Sequence, residues 1–201
     1  MKEIFRLCLV LTVLCAVSAG VLAFVSGKTA EPIAKALLQE KLEALRTVLP
    51  PFDNDPFNDM VRVDAGDGAA VEVYRAKMEG RVVGAAFEVV APDGYAGDIN
   101  FMVGVNVDGV IQGIKILKYS ETPGLGSKIA GEDFTKQYLG RSISDPENWA
   151  VTKDGGTFVP ITGATISSRA VTKAAARGLG IYAANRERIT GAGDAEGEED
   201  R

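Results

Sequence analysis

The feature that most constrains this chain is a run of 21 residues without a charged side chain near its N-terminus, residues 7–27. At about 1.5 Å per residue, a helix of this length spans about 30 Å, the thickness of the hydrocarbon core of a bilayer. Lys2 and Arg6 precede the run and Lys28 follows it. The run therefore predicts a transmembrane helix and leaves the rest of the chain to form a domain beside the membrane.

A cleaved signal peptide is the alternative interpretation of this run, because Val17-Ser18-Ala19 offers a cleavage site of small residues. The apolar part of a signal peptide is usually about 7–15 residues long, so the longer run favours a retained anchor. Positive charges before the span favour an N-terminus in the cytoplasm. We therefore expect a single-pass protein whose domain lies on the extracytoplasmic side.

The composition excludes several kinds of site. The chain has no histidine, which excludes Ser-His-Asp and Cys-His nucleophilic sites, His-ligated zinc and axial-His haem. Its two cysteines, Cys8 and Cys15, lie in the apolar run and are interpreted as small membrane residues. Most of the net charge of −5 belongs to the acidic residues 194–201, and no basic patch indicates nucleic-acid binding. We therefore expect no metal site and no nucleic-acid partner. Any redox or catalytic chemistry must come from a borrowed group, or from carboxylates and hydroxyl groups.

Hydrophobic periodicity predicts the other elements. Pro32 is placed at the start of a helix that ends at Leu49, and helices are also expected over 127–139 and 168–185. Alternating runs joined by the turns Glu79-Gly80 and Asp108-Gly109 predict strands over 71–77, 81–90, 100–107 and 110–119. This pattern predicts an α+β fold: an N-terminal transmembrane helix followed by one mainly antiparallel sheet domain with helices packed on one side.

The same pattern divides the chain into four parts. Residues 1–28 are the cytoplasmic start and the membrane anchor, and residues 29–58 are a helical connector. Residues 59–190 form the domain, and residues 191–201 are an acidic tail that we expect to be disordered.

Two segments of the domain have the composition of a ligand site. Glu121-Thr122-Pro123-Gly124-Leu125-Gly126 follows a predicted strand, and its glycines leave backbone N–H groups accessible to a ligand. An ordinary glycine-rich turn with a solvated Glu121 explains the same composition.

The second segment, Thr162-Gly163-Ala164-Thr165, is followed by Ile166-Ser167-Ser168 at the start of the last predicted helix. A helix N-terminus favours a phosphate group through its free N–H groups and its dipole. Ordinary capping of the helix by Ser167 or Ser168 explains the hydroxyl groups equally well.

Together these two segments resemble a known family. The motif Thr162-Gly163-Ala164-Thr165 is similar to the Ser/Thr-Gly-Ala-Thr motif of covalent flavin-binding proteins, and residues 121–126 are similar to the element that precedes it. These proteins are the G subunit of the Rnf electron-transport complex and the C subunit of the sodium-translocating NADH:quinone oxidoreductase. The resemblance covers about residues 70–185, and the modest length favours the Rnf protein. Val159 stands where many members have an acidic residue.

The resemblance implies FMN joined by a phosphoester to the side-chain oxygen of Thr165, a bond made by a separate flavin transferase. It places Thr162, Gly163 and Ala164 beside the attached phosphate. It also implies a pocket around the isoalloxazine, lined by Glu121, Thr122, Leu125 and Gly126. Lys128 is implied as the cation that neutralises the phosphate or the anionic form of the flavin.

The function implied is that of an electron-carrying subunit of an ion-translocating ferredoxin:NAD oxidoreductase in a bacterial cytoplasmic (inner) membrane. Its partners would be the other membrane subunits, the flavin transferase and membrane lipid. Two other functions remain open from the sequence: a membrane-anchored sensor or ligand-binding domain without a covalent cofactor, and a stand-alone periplasmic flavoprotein reductase.

Overall fold

The N-terminal helix is longer than the sequence predicts. The computed structural model describes residues 2–66, 68 and 70–191. Helix α1 runs without interruption over Lys2–Val48, and its apolar N-terminal part is long and apolar enough to cross a membrane. The predicted start of a second helix at Pro32 is wrong, because this proline lies inside α1. A proline removes only one helical N–H, and the Lys, Ala, Leu, Gln and Glu residues that follow it favour continuation of the helix.

Five antiparallel strands form one sheet in the order of the chain: β1 Met60–Asp64, β2 Ala70–Met78, β3 Arg81–Ala91, β4 Ile99–Asn106 and β5 Ile111–Lys118. The four predicted strands are confirmed, to within two residues at each end. Glu79 and Gly80 both have positive φ, 52° and 79°, as a two-residue hairpin turn requires. The sequence missed β1, a five-residue edge strand that pairs only with β2.

One face of the sheet carries helix α3, Thr165–Ala184. Gly178 of α3 allows close packing, because a Cβ there would lie 2.8 Å from both Phe87 and Val89 of β3. Aromatic side chains extend this core beside the helix, and Tyr138 stacks on Phe158 with ring centroids 4.7 Å apart. The helix predicted over 168–185 is thereby confirmed, although α3 begins three residues earlier than expected.

The opposite face is covered as well, which the sequence did not predict. The last residues of α1, including Ala44, Leu45 and Val48, are buried in a second apolar cluster with Met102 of β4. A Cβ at Gly104 of β4 would lie 2.1 Å from the carbonyl oxygen of Val48. Only glycine at this position therefore lets the end of α1 pack so closely on the strand. The chain divides into two compact units between Glu43 and Ala44, so this end of α1 belongs to the domain.

The connection between β5 and α3 is irregular. The predicted helix over 127–139 is instead a 3-10 turn, Gly126–Ala130, helix α2, Glu132–Thr135, and a second 3-10 turn, Lys136–Tyr138. Gly131 separates the first two with an extended backbone, φ −76° and ψ 147°. A last short helix, α4, spans Arg186–Thr190. The predicted disordered tail lies almost entirely outside the described residues.

Candidate functional site

The buried carboxylate of Glu121 joins three segments of the domain. Its side chain is 5% exposed. Oε1 accepts hydrogen bonds from the backbone N–H of Tyr95, at 2.8 Å, and of Ala96, at 3.3 Å. Oε2 accepts one from the hydroxyl of Ser167 in α3, at 2.8 Å. The interpretation of Glu121 as a solvated turn residue is therefore wrong, because the connection between β3 and β4 and the first turn of α3 both bind it.

The glycines around Glu121 leave room for this contact. A Cβ at Gly126 would lie 2.6 Å from Oε2 of Glu121, and a Cβ at Gly94 would lie 2.9 Å from Oε1. Gly124 has a φ of 77° and its N–H donates to the hydroxyl of Ser127 at 2.9 Å. The structure therefore requires both glycines of the Glu-Thr-Pro-Gly-Leu-Gly segment, Gly124 for its positive φ and Gly126 for its lack of a side chain.

The Thr-Gly-Ala-Thr motif forms a tight turn that leads directly into α3. Gly163 has a φ of 82°, and the N–H of Ala164 donates to the carbonyl of Ile161 at 2.9 Å. The buried hydroxyl of Ser168 donates to the carbonyl of Ala164 at 2.9 Å and accepts from the N–H of Ile161 at 3.0 Å. These bonds fix the shape of the turn from inside the domain.

The alternative interpretation of the hydroxyl groups, capping of the helix by Ser167 or Ser168, is wrong. The N-cap residue of α3 is Ala164, without a side-chain cap, and Thr165 is the first helical residue. Both serines are buried in the domain, where the hydroxyl of Ser167 donates to Glu121 and that of Ser168 donates to the carbonyl of Ala164. The first N–H groups of α3 therefore remain available to a ligand.

The two segments meet at an open cleft of about 550 Å³. Seven of the predicted site residues line it: Glu121, Thr122, Leu125, Gly126, Gly163, Ala164 and Thr165. Four lining residues were not predicted: Tyr95, Lys153, Ile166 and Ser167. Three of the lining side chains are apolar and exposed, Tyr95 at 67% and Leu125 and Ile166 at 46% each.

Two predicted residues lie apart from the cleft. Lys128 belongs to the 3-10 turn Gly126–Ala130 and lines a separate depression of about 760 Å³ with Phe134 and Gln137. Thr162 is exposed at the start of the motif and does not line the cleft.

Among the four lining residues that were not predicted, Lys153 is the one that carries a positive charge. Its ammonium nitrogen Nζ donates a hydrogen bond to Oγ1 of Thr165 at 3.0 Å. The carboxylate of the neighbouring Asp154 accepts hydrogen bonds from Nε and Nη2 of Arg169 in α3, at 2.5 and 2.8 Å. Hydrogen bonding by this guanidinium lowers the pKa of Asp154 below its usual value. A lysine in a short irregular turn has no periodic pattern around it, so only the folded structure identifies this contact.

Comparison with known proteins identifies the same part of the chain. A family model described as FMN-binding domain matches residues 94–180, a range that includes every residue lining the cleft. Among solved structures, the C subunit of the Na(+)-translocating NADH-quinone reductase from Parabacteroides distasonis is similar, with a TM-score of 0.49 and 24% identity over 65% of this chain and 66% of that chain.

Several curated relatives match almost the whole chain. The G subunit of the ion-translocating oxidoreductase complex of Pseudomonas aeruginosa (strain UCBPP-PA14) is 36% identical, over 98% of this chain and 97% of the relative. The G subunit of Aliivibrio fischeri (strain MJ11) is 36% identical over 90% and 91%, and that of Cereibacter sphaeroides (strain ATCC 17023) is 40% identical over 86% and 81%. The chain therefore belongs to the family formed by the G subunits of ion-translocating oxidoreductase complexes.

Proposed function

We propose that this chain carries electrons within a membrane-bound, Rnf-type ferredoxin:NAD oxidoreductase, through FMN attached by a phosphoester to Thr165. The observation that carries this proposal is the position of Oγ1 of Thr165. This hydroxyl lines the cleft of an FMN-binding domain, at the first residue of a helix whose N-terminus has no side-chain cap. A phosphate bonded to this oxygen would lie against the free N–H groups of α3, where a negative charge is stabilised.

The residues of the cleft fit FMN in both size and chemistry. Ligand pockets usually have volumes of about 300–1,000 Å³. The exposed apolar side chains of Tyr95, Leu125 and Ile166 offer contacts to a flat, largely apolar ring system. Gly163 and Ala164 keep bulky side chains away from the position of the phosphate. Bound FMN supplies the redox chemistry, and the polypeptide holds and orients it.

The attachment needs a partner enzyme. A flavin transferase would supply FMN as part of an activated flavin nucleotide. In that step the bond between Oγ1 of Thr165 and phosphorus forms, the bond between phosphorus and the donor's leaving group breaks, and the hydroxyl proton passes to the transferase. The folded chain contributes the hydroxyl of Thr165, a residue that lines the cleft, and the fixed turn of Gly163 and Ala164.

The chain is membrane-anchored, and we assign its domain to the periplasmic side of a bacterial inner membrane. Lys2 and Arg6 precede the apolar part of α1, and charges in this position favour a cytoplasmic N-terminus. Electrons would pass between FMN and other subunits of the complex, in keeping with relatives that are named as complex subunits. The sensor domain and the stand-alone reductase are less well supported, since these relatives match over most of their length.

Replacing Thr165 tests the proposal. The full chain is produced together with an active flavin transferase, and its intact mass is measured after purification in detergent. We expect the wild type to carry one FMN less one water, and Thr165→Val to lack this mass and to give a non-fluorescent band on a denaturing gel.

Thr162→Val is the matched control, because the same substitution is made in the same motif at a side chain outside the cleft. We expect it to retain most of the flavin. A Thr165→Val protein that still carries covalent flavin would contradict the assignment. Co-purification of the wild type with multi-span partners after mild extraction tests the complex against a stand-alone reductase.

A further inference from the structure

Lys153 occupies a position in which a cation would meet the attached phosphate. Its Nζ lies 3.0 Å from Oγ1 of Thr165, the atom that carries the phosphate in the proposed function. The ester oxygen stays in place when phosphorus is added, so the ammonium group would then lie within reach of the neighbouring phosphate oxygens. Charge-assisted hydrogen bonds from an ammonium to phosphate are stronger than those between neutral groups.

The turn that bears Lys153 is anchored in the core of the domain. Lys153 belongs to a 3-10 turn, Thr152–Asp154, which follows the buried residue Val151. The N–H of Thr152 donates to the carbonyl of Phe158 at 2.8 Å, and Phe158 stacks on the buried Tyr138. The backbone beneath Lys153 is therefore fixed, although its own side chain is long and exposed.

A second contact joins the same turn to the same helix. Asp154 binds Arg169, which lies four residues after Thr165 and hence one turn further along the same face of α3. Bidentate Arg–carboxylate pairs fix geometry as well as charge. Lys153 and Asp154, two neighbouring residues of the turn, therefore contact α3 at points one helical turn apart. Together these contacts hold Lys153 beside Thr165.

The charges around Thr165 indicate which kind of ligand group binds best beside its hydroxyl. Asp154 and Arg169 neutralise each other, which leaves the positive charge of Lys153 beside Oγ1. A phosphodiester on this oxygen carries one negative charge, opposite to that of the Lys153 ammonium group. By contrast, Lys128, the cation suggested by the sequence, lines another depression.

We propose that Lys153 is the cation that binds the attached phosphate, and that Asp154 and Arg169 are positioning residues which hold it over Thr165. This inference rests on the proposed attachment of FMN to Thr165. Lys153 does not make the phosphoester bond. It orients the phosphate, and thereby directs the flavin into the cleft lined by Leu125 and Ile166.

The test compares four full-length variants with the wild type: Lys153→Met, Lys153→Arg, Asp154→Asn and Lys115→Met. Each protein is produced with an active flavin transferase until the attachment of FMN is as complete as possible. The ³¹P resonance of the phosphodiester is recorded in detergent at low and at high salt. This readout reports on the product alone, so it does not depend on how the transferase recognises the chain.

We expect the wild-type resonance to shift with salt, because salt screens the contact with the ammonium group. Lys153→Met should move the resonance to the position of a free phosphodiester and abolish its salt dependence. Lys153→Arg should restore most of the wild-type behaviour, since it keeps the charge. Asp154→Asn should give an intermediate spectrum. Lys115→Met is the matched control, an exposed lysine on β5, and should resemble the wild type.

The rate of flavin attachment is the second measurement. We expect Lys153→Met to slow it by roughly 10-fold, near the lower end of what one hydrogen bond to a charged group contributes. A Lys153→Met protein with the wild-type ³¹P spectrum would overturn the inference. If the wild type carried no flavin, or Thr165→Val retained it, the proposed function itself would fail, so the two failures are distinguishable.

Discussion

Thr165 lies between two groups of polar side chains that hold α3 in different ways. On one side is the buried Glu121, which accepts hydrogen bonds from two backbone N–H groups and from Ser167. On the other side is the exposed ion pair of Asp154 and Arg169. Both groups join a loop to the first turns of the same helix.

The difference in burial determines what each group can contribute. A buried acceptor that loses its partners, or a buried donor left without its acceptor, costs the full desolvation of the group. An exposed ion pair exchanges its partners for water at little cost. Glu121 therefore holds the cleft together, whereas Asp154 and Arg169 adjust the position of one side chain within it. Substitutions on the two sides should differ accordingly in size.

The largest effect is expected from Glu121→Ala. It leaves the N–H groups of Tyr95 and Ala96 and the buried hydroxyl of Ser167 without their acceptor, and should lower the free energy of unfolding by about 2–4 kcal/mol. The measurement is urea unfolding of the full chain in detergent, followed by the fluorescence of Trp149, the single tryptophan.

Glu121→Gln is the matched control. Its carbonyl oxygen still accepts from the backbone N–H groups, and its amide can donate to Ser167, whose hydroxyl also serves as an acceptor. We expect it to recover more than half of the loss. Equal stability of Glu121→Ala and the wild type would show that Glu121 does not hold the cleft together.

Gly126→Ala tests the same side of the comparison through packing. The added Cβ would lie 2.6 Å from Oε2 of Glu121, so the carboxylate or the loop must move, at a cost of about 1–3 kcal/mol. Gly180→Ala is the control, because this glycine of α3 has nothing within 4 Å of an added Cβ. There, the better helix propensity of alanine should stabilise the protein by up to about 1 kcal/mol. In urea unfolding, we expect Gly126→Ala to lower the free energy of unfolding and Gly180→Ala to raise it. A change of the same sign in both variants would contradict the packing argument.

The sequence predicts the sheet well because its signals are local. Alternation and the turn signals Glu79-Gly80 and Asp108-Gly109 depend only on neighbouring residues, and all four predicted strands formed. The second turn is longer than the two residues predicted, because the N–H of Asn106 donates to the carbonyl of Val110 across a three-residue loop. The edge strand β1 was missed because its five residues offer too short an alternating pattern. The covering of the second face by the end of α1 depends on Gly104 and Val48, which are distant in sequence, so no local pattern could reveal it.

The candidate site divides in the same way. The two glycine-containing segments were predicted from their residues, and seven of the nine predicted residues line one cleft. The roles of their polar side chains were not predicted. Glu121 and Ser167 bind each other across 46 positions of the chain, and Lys153 reaches Thr165 from an irregular turn. Such contacts depend on the packing of α3 against the domain, so the sequence placed the cation at Lys128 instead.

The smallest effect is expected on the exposed side, from the pH dependence of the pair of Asp154 and Arg169. Hydrogen bonding by Arg169 lowers the pKa of Asp154 in the folded protein from its ordinary value of 3.8. Its contribution to stability is therefore fully present above that ordinary value and is lost as the pH falls through the lower, folded-state pKa. Asp154→Asn should be slightly less stable than the wild type at neutral pH and equally stable in strong acid.

The difference in stability between the wild type and Asp154→Asn isolates this pair, because all other carboxylates are present in both proteins. Unfolding of each is measured from neutral pH to below pH 3, at low salt and again at high salt. Since the pair is exposed, salt should reduce the difference at neutral pH. A difference as large as that of Glu121→Ala, or one that persists in acid, would show that the exposed pair supports the fold rather than the position of Lys153.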